Sequence, residues 1–149
     1  MTKFPKKVKY DINLVWDMES GGDVYFKRSP KLKLDMPVEF GGKGRSPCPD
    51  EYFLSAVGGC YLTTFLYFKE RLGLKPRDLR VTVQATANYF APKGYRITEI
   101  MVFMQVDVDE EEKEKAEECI ELTIEHCHLT RSMEQGLPIK VVPNVRVHS

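Results

Sequence analysis

The stretch "PDEYFLSAVGGCYLTTFLYFKERLG", residues 49–73, constrains the chain more than any other. It reads as one long helix. Pro49 suits the first turn, Asp50 and Glu51 suit the positive end of the dipole, Lys69 and Arg71 suit the last turn, and Gly73 suits the residue just past the end. Tyr52, Phe53, Ala56, Val57, Leu62, Phe65, Leu66 and Phe68 nearly encircle it, and a helix apolar on most sides is expected to be buried on most sides. Yet Gly58 and Gly59 stand in its middle, each costing a helix about 1 kcal/mol relative to alanine, and Cys60 follows directly. The glycines predict close approach of another backbone and free space beside the thiol.

Around this helix the pattern is mostly of period two. Residues 7–17, "KVKYDINLVWD", place Val8, Tyr10, Ile12, Leu14 and Trp16 on one face, as in a half-buried strand. A turn is expected at residues 20–22, then short strands at "DVYFK" and "KLKLDM", giving an antiparallel meander. Residues 79–90 alternate through Leu79, Val81, Val83, Ala85, Ala87 and Tyr89. The return strand carries Ile100, Val102, Met104, Val106 and Val108. "DEEEKEKAEECIELTIEH" is an amphipathic helix with Asp109 as its expected N-cap and an apolar stripe of Ala116, Cys119, Ile120, Thr123, Ile124 and Cys127. A short helix near "LTRSMEQ" ends at Gly136, and "IKVVPNVRV" is a last strand that Pro143 marks as an edge or a break. There is no βαβ alternation and no repeat. The expectation is a single α+β domain over residues 1–149.

Charge narrows the function. Lys plus Arg and Asp plus Glu are 22 each, so nothing favours a nucleic-acid partner. No run approaches the ~18 apolar residues of a membrane span. "MTKFPKKVKYD" lacks the apolar segment of a secretory signal, so the expected location is the cytoplasm. There, Cys48, Cys60, Cys119 and Cys127 are expected as buried, catalytic or metal-binding thiols rather than structural disulfides. No pair has C-x-x-C spacing. His126, Cys127 and His128 are too close in sequence to aim at one tetrahedral zinc, so neither metal nor organic cofactor is expected.

Cys48 reads as an incidental loop thiol and Cys119 as a small buried hydrophobe. Cys60 has two readings, simple tight packing or a reactive thiol on the floor of a pocket walled by Tyr52, Phe53, Tyr61 or Phe65. Cys127, in "EHCHLTRS", falls where one helix ends and another begins. There a helix N-terminus, with His128 or Arg131, would lower its pKa. Two such thiols suggest a peroxidatic and resolving pair: one is oxidised to a sulfenic acid, the other condenses with it to a disulfide.

"SPCPDEYFLSAVGGC" and "EHCHLTRSMEQGLPIKV" together resemble the OsmC/Ohr family, the thiol-dependent organic hydroperoxide reductases and their osmotically inducible relatives. The second block matches a pattern of the form C-[PH]-[VIL]-[ST]-x-[SA], and the "AVGGC" wording is closest to a less characterised OsmC-like branch. The resemblance implies an OsmC-like fold, with antiparallel sheets wrapped around a long central helix in an intertwined homodimer. It implies Cys60 as the peroxidatic and Cys127 as the resolving cysteine. Two departures stand out. The family's catalytic glutamate, ten residues before the cysteine, is Asp50 here, with Glu51 one step closer. The family's hairpin arginine is replaced by Asp23, and no motif assigns its role to Lys27, Arg28 or Arg45.

The expected function is therefore a thiol-dependent peroxidase acting on organic hydroperoxides, with H2O2 a poorer substrate and a dithiol as reductant. The alternative is a dimeric binding or redox-sensing protein holding an apolar ligand. Acyl transfer through Cys60 ranks lowest, because no histidine lies in the block around that thiol.

Overall fold

The computed structural model describes residues 7, 9, 12–27 and 30–149. The chain divides into two compact units, residues 1–52 and 53–149.

The N-terminal unit holds an antiparallel meander of β1 (Asn13–Trp16), β2 (Gly21–Tyr25) and β3 (Leu32–Asp35), followed by a short 3-10 turn at Val38–Phe40. The expected first strand is shortened to Asn13–Trp16, and Val8 and Tyr10 lie outside the described residues. Its expected apolar face is not covered by this unit, since Ile12 and Trp16 are exposed. The turn expected at residues 20–22 falls earlier, at residues 18–20, with Met18 at φ 67°. Gly22 instead sits within β2, where a Cβ would lie 2.7 Å from the Val15 carbonyl oxygen. Its glycine serves close strand pairing, not a turn.

This unit is organised by a buried carboxylate. Asp35, 1% exposed, accepts hydrogen bonds from Ser20 Oγ (2.7 Å), the Met36 N–H (2.9 Å), the Arg45 N–H (3.0 Å) and Arg45 Nε (2.7 Å). The other guanidinium nitrogens of Arg45 donate to Glu19 at 2.8 Å and Asp17 at 2.7 Å. Arg45, then Ser20 and the two backbone donors, hold the Asp35 carboxyl far below the usual carboxylate range.

α1 (Pro49–Leu72) begins and ends as expected. Cys48 precedes it, and Glu51 reaches back to accept the Cys48 N–H at 3.4 Å, one half of a capping box. At the other end Gly73, at φ 63°, donates to Glu70 O (3.3 Å) and Leu74 to Lys69 O (3.0 Å). This pair of bonds satisfies the last carbonyls as a Schellman motif.

The C-terminal unit is a three-stranded sheet, β4 (Asp78–Phe90), β5 (Gly94–Asp109) and β6 (Ile139–His148), in the order β4-β5-β6. β4 and β5 pair antiparallel, with a bulge near Thr86 and Ala87. β5 and β6 pair parallel, so this sheet is mixed rather than purely antiparallel. β6 is an edge strand carrying Pro143 opposite Met104, where a missing N–H can face outward. Ile100, Val102, Met104, Val106 and Val108 of β5 are all fully buried, as their alternation predicts.

On that face pack Val57, Tyr61 and Phe65 of α1 and Ala116, Cys119 and Ile120 of α2 (Lys113–His126). α2 starts after a 3-10 turn at Glu110–Glu112. Asp109 makes no side-chain cap and pairs with Arg77 instead. α3 (His128–Met133) follows α2 directly. α1 is buried on one face only, because Leu62, Leu66 and Tyr67 remain exposed in the single chain. The two glycines separate on this basis. A Cβ on Gly58 would stand 2.8 Å from Val83 Cγ2 of β4, whereas one on Gly59 would meet nothing within 4 Å. Only Gly58 is required by packing within the chain. Among the described residues, no helix is long and apolar enough to cross a membrane.

Candidate functional site

Cys60 and Cys127 come together in the C-terminal unit. Cys60 lies in the middle of α1 and is partly exposed. Cys127 is the residue between α2 and α3 and is fully buried. α2 ends there because Cys127 leaves the helical conformation, at φ −63° and ψ 115°, while its N–H still donates to Thr123 O at 3.0 Å. α3 restarts the helix at once, with Arg131 N–H donating to Cys127 O at 3.1 Å. The kink turns the Cys127 side chain into the core beside α1. The Cys60 sulfur is near enough to raise the Cys127 pKa through a hydrogen bond and through charge.

The environment of Cys127 differs from the expected one. Burial is the largest influence and pushes its thiol upward. Cys60 adds to this, and the hydroxyl and N–H of Thr130 oppose it. His128 and Arg131, expected to lower the pKa, are exposed. Thr130 opposes the effect of burial without overcoming it, and the thiol form of Cys127 is favoured.

Two further groups, buried Tyr61 and half-buried Thr130, lie on the same two helices. Tyr61, next to Cys60, is hydrogen-bonded through its hydroxyl to Thr130 Oγ1. Burial raises the Tyr61 pKa above that of an ordinary phenol, so it stays protonated. Tyr61 and Phe65, proposed from sequence as pocket walls, are fully buried core residues. Thr130 occupies the [ST] position of the second sequence block but was given no role from sequence. Its spacing of three residues from a helix-breaking cysteine was the available signal.

The acids belong to the N-terminal unit. Asp50 and Glu51 are exposed in its first turn, and Glu51 is engaged in capping Cys48. Of the basic candidates, Arg45 is taken up by Asp35, Asp17 and Glu19. Lys27 is exposed, and Arg28 lies outside the described residues.

The remaining thiols are separate from this pair. Cys119 is buried, donates to the Phe65 carbonyl at 3.5 Å, and burial pushes its pKa up to about 11. Cys48 is partly exposed in the loop before α1. His126 binds the Leu122 carbonyl oxygen through Nδ1 at 2.9 Å, and its ring meets Phe68 edge-on. Among the described residues no group of three or more His, Cys, Asp or Glu side chains is placed to hold a metal ion.

A partly exposed thiol against a buried one can pass through a sulfenic acid to a disulfide. Comparison with known proteins agrees with the fold. An uncharacterised protein of Bacillus subtilis, YmaD, is 25% identical over 118 residues, covering 76% of this chain and 78% of that protein. A solved organic hydroperoxide resistance protein OsmC from Legionella pneumophila superposes with TM-score 0.72 at 17% identity, over 92% of this chain and 97% of that one. An OsmC-like protein from Mycoplasma pneumoniae superposes with TM-score 0.76 at 20% identity, over 98% and 99%. Residues 42–142, well over half of the sequence, match the family described as OsmC-like protein, and the chain belongs to that family.

Proposed function

We propose that this protein is a thiol-dependent peroxidase that reduces organic hydroperoxides, and H2O2 less well. The observation that carries the reading is the juxtaposition of partly exposed Cys60 with buried Cys127. The Cys60 thiolate attacks the distal peroxide oxygen, an S–O bond forms, the O–O bond breaks, and the alcohol leaves after taking a proton. The Cys127 thiolate then attacks the sulfenic sulfur, the S–S bond forms and hydroxide leaves. A dithiol reopens the disulfide by exchange. Asp50 or Glu51 serves as the acid that orients a cationic partner. The name of the Legionella protein supports the substrate class.

The working unit is a homodimer of single OsmC-like domains spanning residues 1–149, acting in the cytoplasm. The uncovered apolar side of α1, with Leu62 37% and Leu66 43% exposed, supports a second copy packing there. A dimeric binding or redox-sensing protein is the second reading. It is favoured by the engagement of Arg45 with three carboxylates, which takes up one candidate for the cation that would polarise a peroxide.

The test is a reaction of fully reduced protein with about one equivalent of cumene hydroperoxide, H2O2 in parallel, and products mapped by mass spectrometry. A rapid Cys60–Cys127 disulfide, absent in Cys60→Ser and Cys127→Ser, is expected. No thiol loss within minutes would exclude the peroxidase and leave the binding or sensing protein.

A further inference from the structure

β5 and β6 begin at different heights, and a cleft opens where they do not yet pair. β5 starts at Gly94, but its parallel ladder with β6 starts only at Ile100 and Ile139. The Ile100 N–H donates to the Pro138 carbonyl at 3.0 Å and anchors the segment that joins α3 to β6. Before that anchor, a cleft of about 300 Å³ lies between Arg96, Ile97 and Thr98 on one wall and residues 134–138 on the other. Neither Cys60 nor Cys127 lines it, and the six residues of α3 separate Cys127 from Glu134.

Most polar groups of the lining are already engaged. Thr98 Oγ1 accepts from Asn88 Nδ2 at 2.8 Å and donates to the Thr86 carbonyl at 3.3 Å. The Gly136 and Leu137 N–H groups both donate to the Met133 carbonyl at 2.9 Å. Two charges are not engaged in this way. Arg96 lies over the Phe90 ring, 5.1 Å from its centroid, a contact that supplies it no carboxylate. Among the described residues Arg96 and Glu134 form no ion pair, either with each other or with another group. Ile97 and Leu137 are half-buried against the core and give the cleft an apolar floor. A ligand with one negative charge would meet Glu134 as a like charge, and one with a single positive charge would meet Arg96. Only a ligand carrying both charges complements both walls.

We propose that this cleft binds a small zwitterion of the α-amino-acid class with an apolar side chain. Arg96 takes the carboxylate, Glu134 takes the ammonium group, and the side chain rests on Ile97 and Leu137. The volume is at the small end of ligand pockets, which suits a molecule of this size. The site shares no lining residue with the thiol pair, so it stands whether or not the protein is a peroxidase.

The test is an NMR titration of the isotope-labelled full chain with L-leucine. Isocaproate, which lacks the ammonium group, and isoamylamine, which lacks the carboxylate, are titrated in parallel. Leucine is expected to shift the backbone amide signals of Arg96, Ile97, Gln135 and Leu137, and to bind about fivefold more tightly than either analogue. Arg96→Gln should weaken leucine and isocaproate alike, by about fivefold. Glu134→Gln should weaken leucine by a similar factor and leave isocaproate no weaker. Both side chains are exposed, so the replacements leave the core intact. Three results would each overturn the proposal: no shift at these signals, leucine binding no tighter than its analogues, or Glu134→Gln binding leucine as before. If Arg96→Gln does not fold, the leucine and isocaproate titrations of Glu134→Gln decide the matter.

Discussion

The two compact units bury ionisable groups in opposite ways. In the N-terminal unit, Asp35 is almost inaccessible, yet four donors converge on it and its charge is favoured. In the C-terminal unit, Cys119, Cys127 and Tyr61 are equally inaccessible, but apolar side chains surround them and their neutral forms are favoured. Burial alone therefore does not set the direction of a pKa. The donors left at the site decide it, because desolvation acts against any charge and only hydrogen bonds and opposite charge offset it. Cys127 is the intermediate case, a buried thiol with Thr130 opposing the effect of burial.

The comparison can be broken most forcefully through the apolar core. Phe65→Ala, at a fully buried position against β5 and α2, is expected to cost about 3–5 kcal/mol in denaturant unfolding. A loss below 1 kcal/mol would mean that the C-terminal unit is not held by this core.

Next comes the pair of glycines. Gly58→Ala forces a Cβ toward the stiff Val83 side chain and should cost about 1–3 kcal/mol. Gly59→Ala meets open space in the chain and should gain up to about 1 kcal/mol from helix propensity. If Gly59→Ala instead loses as much as Gly58→Ala, and light scattering shows dissociation, a second copy packs against that side of the helix.

The smallest effects at neutral pH are the titrations, which sharpen the contrast between the units. Asp35 is held below its unfolded value of 3.8, so its contribution is present above that pH and is lost as pH falls through and below about 4. Cys119 is raised from 9.0 to about 11, so its contribution is present below pH 9 and is lost as pH rises toward 11. Thermal unfolding across pH should lose its acid slope in Asp35→Asn and part of its alkaline slope in Cys119→Ala. Unchanged slopes would remove the assignment of these groups.

Much of the fold was legible because its signals are local. Both ends of α1 follow from Pro49, Glu51 and Gly73, since a cap is settled within a few residues of the chain. The buried face of β5 and the stripe of α2 follow from periodicity, since each repeat reports one face of one element. Other features depend on what lies opposite. Gly22 reads as a turn residue until the Val15 backbone is seen against it. Asp109 reads as a cap until Arg77 takes its carboxylate. The parallel pairing of β6 leaves no local trace, because direction is set by the path of α2 and α3 back to the sheet. At the candidate site, the two cysteines were legible from their sequence blocks, whereas the influence of Thr130 and Tyr61 was not.

The sequence by itself determined most of the elements, their order, the family and the pair of thiols singled out as the candidate site. Tertiary structure alone decided which face of α1 is covered, which glycine is required, and that Tyr61 and Thr130 meet beside Cys60 and Cys127. The physical reason is range. Caps and periodicity act over one or two turns of chain, whereas desolvation and a hydrogen bond across 69 residues exist only once the helices have packed.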